Sequence, residues 1–393
     1  MNHSQKIIKM KHRILIILLG LACYSSAVNN SFVWDDKGFV VLNPAIRSLA
    51  KIPSFFTDPK TVSEGSLARD VYRPVATLSF AVDYRLFKLN PMPYHLENIL
   101  LHILNALLLY ILLDAVFGSL PFSLIASLVF LTHPAQTEAV TWISGSSNVL
   151  FTFFYLASFI FYIRSQRKSR PVYLWLSLLF FTLSVFSKET AVTLPVLIGA
   201  YEYLFKKQRS MMSPIAKIAP YLTVAAFYIA LRFCLMHEVG QRMMWGGGFY
   251  ATLLTMSKAL LYYIKVVIFP YTLCAGHVVA IAHSIMEPAA FRSVIVLTVI
   301  FIACAYLIKR SKTAAFAILW FFAALIPVMN IIPINTLLAE RFLYLPIAGF
   351  GILLAWAILR VYGRLGITAV AFVVVLLSLY SVRTYARNFD WKD

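Results

Sequence analysis

Apolar runs long enough to cross a bilayer follow one another along nearly the whole chain, and they constrain the fold more than any other feature. They lie roughly at residues 13–28, 95–117, 119–133, 147–163, 172–187, 190–205, 216–235, 291–308, 314–332, 342–360 and 366–382. Hydrocarbon offers no partner to a free backbone N–H or C=O, so segments of about 20 apolar residues fold there as helices. Only 13% of the 393 residues are charged, against about a quarter in soluble domains. The expected class is therefore an all-α polytopic membrane protein.

The net charge of +19 would suggest nucleic acid in a soluble chain. Here the Lys and Arg residues sit in short clusters between apolar runs: KIIKMKHR, RSQRKSR, KKQR, KRSK and RVYGR. That is the positive-inside pattern of cytoplasmic helix ends, and nucleic-acid binding is not expected. The N-terminus is then cytoplasmic, and residues 29–94 form the first extracytoplasmic loop. The segment KHRILIILLGLACYSSA has features of a signal peptide, but with further spans following it reads as a retained first membrane helix.

Residues 251–270 (ATLLTMSKALLYYIKVVIFP) test this scheme, because counting them as a span would place KRSK and RVYGR outside. Lys258 and Lys265 are seven apart, on one helical face, as in a helix lying on the membrane surface. The expectation is a juxtamembrane helix within a long outer loop, 236–290. The count is then eleven spans in one membrane domain, 1–393, with an extracytoplasmic tail, 383–393. Four cysteines, Cys23, Cys234, Cys274 and Cys304, show no metal-like spacing, and Cys23 and Cys304 read as buried thiols.

Polar residues gather in the loops opposite the basic clusters. The first loop opens with VWDDKG, so Asp35 and Asp36 are adjacent carboxylates just beyond an apolar run, and it continues to Arg73 in VYRPVATLSF. The second run reads HLENILLHILNALLLY, which places His95, Asn98, His102 and Asn105 on one helix face. Such a stripe points into the protein, either to serve a site or to hydrogen-bond helices together. His95 and Asn98, nearer the loop, are candidates for a site; His102 and Asn105 are expected to be structural. THPAQTEAVTWISGSSN supplies His133, Glu138, Trp142 and Ser144. Lys188 and Glu189 form the turn SKET, and Glu340 and Arg341 open a helix in LLAERFLYLP.

Carboxylates (Asp35, Asp36, Glu138) and cations (Arg73, Lys188, Arg341) would then face one outer cavity. A carboxylate activates a hydroxyl by taking its proton, and fixed cations stabilise a departing phosphate. The combination suits group transfer from a lipid-linked phosphate. A transporter or flippase of a lipid-linked or anionic substrate is the alternative; internal repeats and midplane charges, its usual marks, are not seen. A non-catalytic scaffold is disfavoured by so many polar strings on one side. Two adjacent Asp residues are weak evidence for a cation site, so no metal residue or cofactor is assigned and a divalent metal stays open.

The strings VWDDKGFVVLNPAIRSL, YRPVATLSFAVDYRLF, YHLENILLHILNALL, HPAQTEAVTWISGSSNVL, SKETAVTLPVL and AERFLYLPIAGFG carry a resemblance. In that order, from residue 33 to about 351, the chain resembles the membrane part of the multispanning GT-C glycosyltransferases. It is most similar to the TMTC (transmembrane and tetratricopeptide-repeat) protein O-mannosyltransferases and their bacterial relatives. The resemblance implies a GT-C-like bundle of about 11 transmembrane helices and an inverting hexosyltransferase, with mannose as the suggested sugar. The donor would be a polyprenyl-phosphate-linked sugar, dolichyl or undecaprenyl in type, used on the extracytoplasmic side.

An acidic residue of the first outer loop would be the general base. That is Asp35 or Asp36, with Asp35 favoured and Asp36 positioning the acceptor or the base. Glu138 would help bind acceptor or sugar, with His95, Asn98, His133, Glu189 and Glu340 as further substrate-binding candidates. By charge, Arg73, Lys188 and Arg341 would meet the lipid phosphate. TMTC proteins carry tetratricopeptide repeats after the last span, whereas this chain ends at FDWKD, which leaves a protein or a glycan as acceptor. The expected location is a bacterial inner membrane, with the endoplasmic reticulum membrane as alternative.

Overall fold

The helices of this computed structural model begin and end where the local sequence dictates. Residues 3–65, 71–168, 170–206, 213–236 and 244–393 are described; among them are fifteen α-helices, short 3-10 turns and no strand. The first, α1 (His3–Tyr24), leads through irregular chain to two short helices, α2 (Ile52–Thr57) and α3 (Pro74–Phe87). A hairpin follows, α4 (Pro91–Phe117) and α5 (Leu120–Thr132), then the single turn α6 (Thr137–Val140). Next come α7 (Ser146–Lys168), α8 (Pro171–Ser187), α9 (Leu194–Phe205) and α10 (Pro214–Met236). The last five are α11 (Phe249–Ile268), α12 (Pro288–Arg310), α13 (Lys312–Leu325), α14 (Pro346–Leu365) and α15 (Ile367–Arg387).

Proline opens α4, α8, α12 and α14, where its missing N–H costs nothing. Gly118, at φ +67°, ends α4 in the left-handed conformation and turns the chain into α5.

By length and composition, seven helices of the described residues are able to cross a membrane, and three shorter apolar ones accompany them. The chain is a multi-pass membrane protein. The expected spans 119–133, 172–187, 190–205 and 314–332 fall on α5, α8, α9 and α13, which have 13, 17, 12 and 14 residues. Those lengths rise about 18–26 Å, short of the ~30 Å hydrocarbon. All four lead into or out of a turn of mostly buried, non-helical or 3-10 chain: His133–Ser146 after α5, Lys188–Thr193 between α8 and α9, and Leu337–Leu345 on the way from α13 to α14. Irregular backbone at such depth is tolerated only when protein surrounds it. The bundle thus carries buried turns at one end, and the candidate site is made of them.

The segment expected to lie on the membrane surface, 251–270, is α11. It is long and apolar enough to cross, and its Met256, Ala259, Leu260, Tyr263, Val266 and Val267 join the main core. Its hydrophobic face serves protein packing, so neither the surface placement nor the count of eleven is carried forward. Residues 237–243 of the expected 236–290 loop, and parts of KKQR and RSQRKSR, lie outside the described residues. All four cysteines are free, and Cys304 is half-buried where a buried thiol was expected.

Helix pairs α7–α8, α13–α14, α4–α7, α4–α5 and α5–α14 build the core. α14 enters it on glycine. A methyl group at Gly349 would stand 2.7 Å from the Phe321 nitrogen and 2.8 Å from the Ala317 oxygen of α13. One at Gly351 would stand 2.7 Å from the Ala126 oxygen of α5. Small residues let backbones approach where no hydrophobic effect drives helices together. Gly349→Ala and Gly351→Ala should each cost about 1–3 kcal/mol by overpacking. Gly363→Ala, which meets nothing within 4 Å, should gain about 0.5–1 kcal/mol. Thermal unfolding midpoints of the detergent-purified variants check the ranking.

Candidate active site

Asp36 is the pin of the site. The chain reaches it through Trp34, which holds a left-handed φ of +50° that a bulky side chain rarely adopts. Asp36 is fully buried. Its Oδ2 accepts the Val33 N–H (2.9 Å), and its Oδ1 accepts the Ser144 N–H (2.7 Å) and the Ser144 hydroxyl. Burial still pushes this carboxyl up to about 6; the bonds from Ser144 and Val33 oppose the shift, and the Asp35 charge adds to it.

Asp35 differs from its neighbour. It is half-buried and its carboxylate takes no hydrogen bond from a described residue. Burial raises its pKa, while the Arg341 charge pulls it down. One carboxylate is bound and one is free.

Arg341 links this pair to the 133–146 turn. Its guanidinium meets Glu138 Oε1, and its backbone N–H donates to Glu138 Oε2 (2.8 Å). The same guanidinium lies over the Trp142 ring (5.3 Å) and the Phe342 ring (5.4 Å). Trp142 in turn donates its indole N–H to the Val33 oxygen (3.4 Å) and stacks on Trp391 (5.7 Å). Trp34 packs edge-on against both.

Lys188 is buried in the next turn. Its Nζ donates to Asn148 Oδ1, and it lies over Phe342 (5.5 Å) and Phe151 (5.9 Å). Burial, with the Arg73 charge, holds its pKa well below the ordinary lysine value. No carboxylate touches the ammonium among the described residues. The space beside it, lined by Asn148, Thr190, Arg341, Phe342 and Tyr344 among others, is about 10 Å³, near the minimum for one water.

Glu189, the adjacent residue, is gripped by Arg73 Nε and Nη2 (3.1 and 2.7 Å) with Arg232 at 3.7 Å. Burial works against ionisation there, and the Arg73 and Arg232 charges overcome it, so the carboxyl stays well below the usual range. Arg73 also reaches the Ser147 hydroxyl (3.4 Å).

The predicted site residues thus divide. Asp35, Asp36, Glu138, Arg341, Lys188, Arg73 and Glu189 form one connected cluster. Asn98 donates to the Trp142 and Ile143 oxygens (3.2 and 3.4 Å) and braces the 142–146 turn. His95 is buried by the backbone of Asn30, Ser31 and Thr141, with neither ring nitrogen in a well-formed bond. His102 and Asn105 share the Tyr344 hydroxyl (2.7 and 3.0 Å), in the structural role expected.

His133 is spent on backbone: Nε2 on the Val267 oxygen (3.0 Å) and Nδ1 on the Ala135 N–H (3.2 Å). Glu340 is spent on scaffold, accepting from the Cys274 N–H (2.6 Å), facing His277 Nε2 (3.1 Å) and pairing with Arg387 (2.9 Å). Neither is brought to the cluster. Among the described residues no three His, Cys, Asp or Glu side chains converge on a metal-sized site.

Three contributors escape a reading by strings. Asn148 lies inside the quoted SGSSNVL but carries no charge to single it out. Arg232 is a lone arginine within an apolar run, and that in itself is a signal. The chain end is the third. Asn388 donates to the Cys23 oxygen (2.9 Å), accepts from the Thr141 hydroxyl (2.8 Å) and receives Asn30 on its own oxygen (2.9 Å). The tail is therefore a wall of the site.

No protein-family model matches the chain. A protein O-mannosyl-transferase of Caenorhabditis elegans is 27% identical over 98% of this chain and 56% of its own length. The human protein O-mannosyl-transferases TMTC3 and TMTC1 are 24% and 26% identical over 98% and 94% of this chain, and 47% and 48% of theirs. The chain spans about half the length of these relatives. Two solved structures share its fold at 14% identity. ArnT from Cupriavidus metallidurans, bound to undecaprenyl phosphate, aligns with a TM-score of 0.55 over 93% of this chain and 62% of its own. The Archaeoglobus fulgidus oligosaccharyltransferase aligns at 0.51 over 96% and 55%. Over nearly its whole length the chain is similar to these protein O-mannosyl-transferases, and it shares its fold with these two membrane enzymes.

Proposed function

We propose that this chain is an inverting glycosyltransferase that moves a sugar, mannose by analogy with its relatives, from a polyprenyl-phosphate donor to an acceptor hydroxyl. The observation that carries the reading is the division of labour between two adjacent carboxylates. Asp36 is immobilised by three donors, while Asp35 is free and faces the Arg341 charge. Asp35 takes the acceptor's proton as the oxygen attacks the anomeric carbon. The bond from that carbon to the phosphate oxygen breaks, and the electron pair leaves on the phosphate. A single displacement inverts the anomeric centre.

The leaving phosphate gathers negative charge, and Lys188, Arg73 and Arg341 supply the compensation. Lys188 suits the part. With a neutral amide as partner and cations as neighbours, its proton is loosely held, and an arriving phosphate restores it. Glu138 and Glu189 hold Arg341 and Arg73 in position. The basic clusters at the other end of the bundle support an extracytoplasmic site. A polyprenyl donor is supported by ArnT, a protein of the same fold whose crystal structure holds undecaprenyl phosphate. The acceptor is a protein or glycan hydroxyl.

The two carboxylates should respond differently to amide replacement. Asp35→Asn should lower kcat by about 10²–10⁴ with an unchanged unfolding midpoint. Asp36→Asn turns an NH₂ towards at least one of three donors, which should cost about 1–3 kcal/mol of stability and damage kcat and KM together. Equal stability losses, or full activity of both variants, would contradict the assignment.

The pH profile is a second test. Both groups work as anions and both pKa values are raised, so activity should rise with pH as they deprotonate. The acid limb of kcat/KM should lie near pH 6, set by Asp36. A limb near 4, the ordinary carboxylate value, would mean that neither group is perturbed in the working enzyme.

A further inference from the structure

At the far end of α4, some 28 Å from Asn98 at 1.5 Å per residue, a shallow, open cleft lies away from the transfer chemistry. It is a cleft of about 320 Å³ lined by Phe117, Ser119, Phe122, Thr313, Trp356, Leu359 and Arg360. Its walls are largely apolar, and its side chains carry two hydroxyls, one guanidinium and the Trp356 indole N–H.

Three independent features give it positive potential. The first is Arg360, held over the Trp356 ring at 5.5 Å and in no ion pair with a described residue. The second is the start of α5 at Ser119. The Ser119 side chain makes no capping bond, and no acidic residue stands in the first turn. The third is the start of α13, where Thr313 sits in the first turn. The Ser311 hydroxyl is used on the Ala314 N–H (3.3 Å), and again no acid is present. Helix N-termini expose N–H groups and the positive end of the peptide dipole, and they favour anions.

The opposing charges nearby are already answered. Asp114, one turn before Phe117, pairs with Lys9 at 2.5 Å. The last carbonyls of α4 meet the Gly118 N–H (3.0 Å, Asp114 oxygen) and the Arg167 guanidinium (Ala115 oxygen). What is left is a cleft with a cation, two helix starts and no carboxylate in its lining, between membrane helices at the basic end of the bundle.

We infer that this cleft binds one anionic phospholipid, its phosphate between Arg360, Ser119 and Thr313 and its acyl region against Phe117, Phe122, Trp356 and Leu359. Apolar walls favour a lipid over free phosphate, and basic pockets between helices at this level suit acidic head groups. The cleft is remote from the transfer reaction, and binding is read without turnover, so the lipid site stands or falls apart from the proposed chemistry.

The test is a lipid titration of the purified full chain in detergent, read by thermal unfolding and by native mass spectrometry. Phosphatidylglycerol should raise the unfolding midpoint and remain bound as one copy, and phosphatidylcholine should do neither. Arg360→Gln should weaken phosphatidylglycerol about tenfold or more, the loss of a charge-assisted contact. Thr313→Phe, which fills the cleft and leaves every charge in place, should weaken it likewise. Arg364→Gln, one turn on and outside the lining, should bind as the parent does.

Equal effects of the two lipids would overturn the inference, and so would inorganic phosphate reproducing the protection. Equal losses in Arg360→Gln and Arg364→Gln would overturn it in favour of diffuse attraction to a basic surface. Undiminished binding in Thr313→Phe would place the lipid elsewhere.

Discussion

The carboxylate of Asp36 joins two parts of the chain that a membrane bundle would otherwise leave independent. On one side is the loop after α1, and on the other the turn that opens α7. Ser144 donates twice to this one side chain, and Val33 closes the loop on itself. A buried carboxylate is expensive unless its oxygens are satisfied, and these are. Beside the fixed Asp36, Trp34 holds a left-handed conformation, Trp142 reaches the Val33 oxygen, and Asp35 faces the Arg341 charge with no hydrogen bond from a described residue. The reactivity assigned to Asp35 is a consequence of the restraint on Asp36.

A second constraint works at the level of the bundle. Several helices are too short to cross alone, and four of them lead into or out of irregular chain inside the protein. Every such turn needs its polar groups met, and the stripe on α4 bonds carbonyls in one turn and in the helix ends on either side of it. Asn98 braces the 142–143 carbonyls, His102 the Leu131 carbonyl and Asn105 the Val149 carbonyl. Side chains that look functional in the sequence are thus part of what holds the buried turns together. The same holds for His133 and Glu340, which tie α5 to the end of α11 and the 274–277 stretch to the chain's last helix.

These roles separate what was legible in the sequence from what was not. The stripe could be read because helical period alone places His95, Asn98, His102 and Asn105 on one face, and charge alone marked Asp35, Asp36, Lys188 and Arg341. Pairings across the fold could not be read. Glu138 has no basic neighbour in sequence because its partner is 203 residues away, and Arg73 meets Glu189 across 116. Hydropathy counts apolar residues without asking whether they form one helix, so it does not show that four of these runs are short helices beside buried turns. The lysines of α11 suggested a water-facing side, while its other face was shaped for protein. The tail, with Asn388 and Trp391, carried no signal beyond its composition.

If a sugar leaves a lipid phosphate when Asp35 deprotonates a hydroxyl, lipid product and glycoside must appear together. The most direct measurement supplies the purified chain with polyprenyl-phosphate-linked mannose and a hydroxyl acceptor, and follows both the lipid and the anomeric configuration of the product. Free polyprenyl phosphate should form in step with an inverted mannoside, and neither should form with the Asp35→Asn chain. A mannoside of retained configuration, or equal release by the parent and the Asp35→Asn chain, would contradict the role given to Asp35.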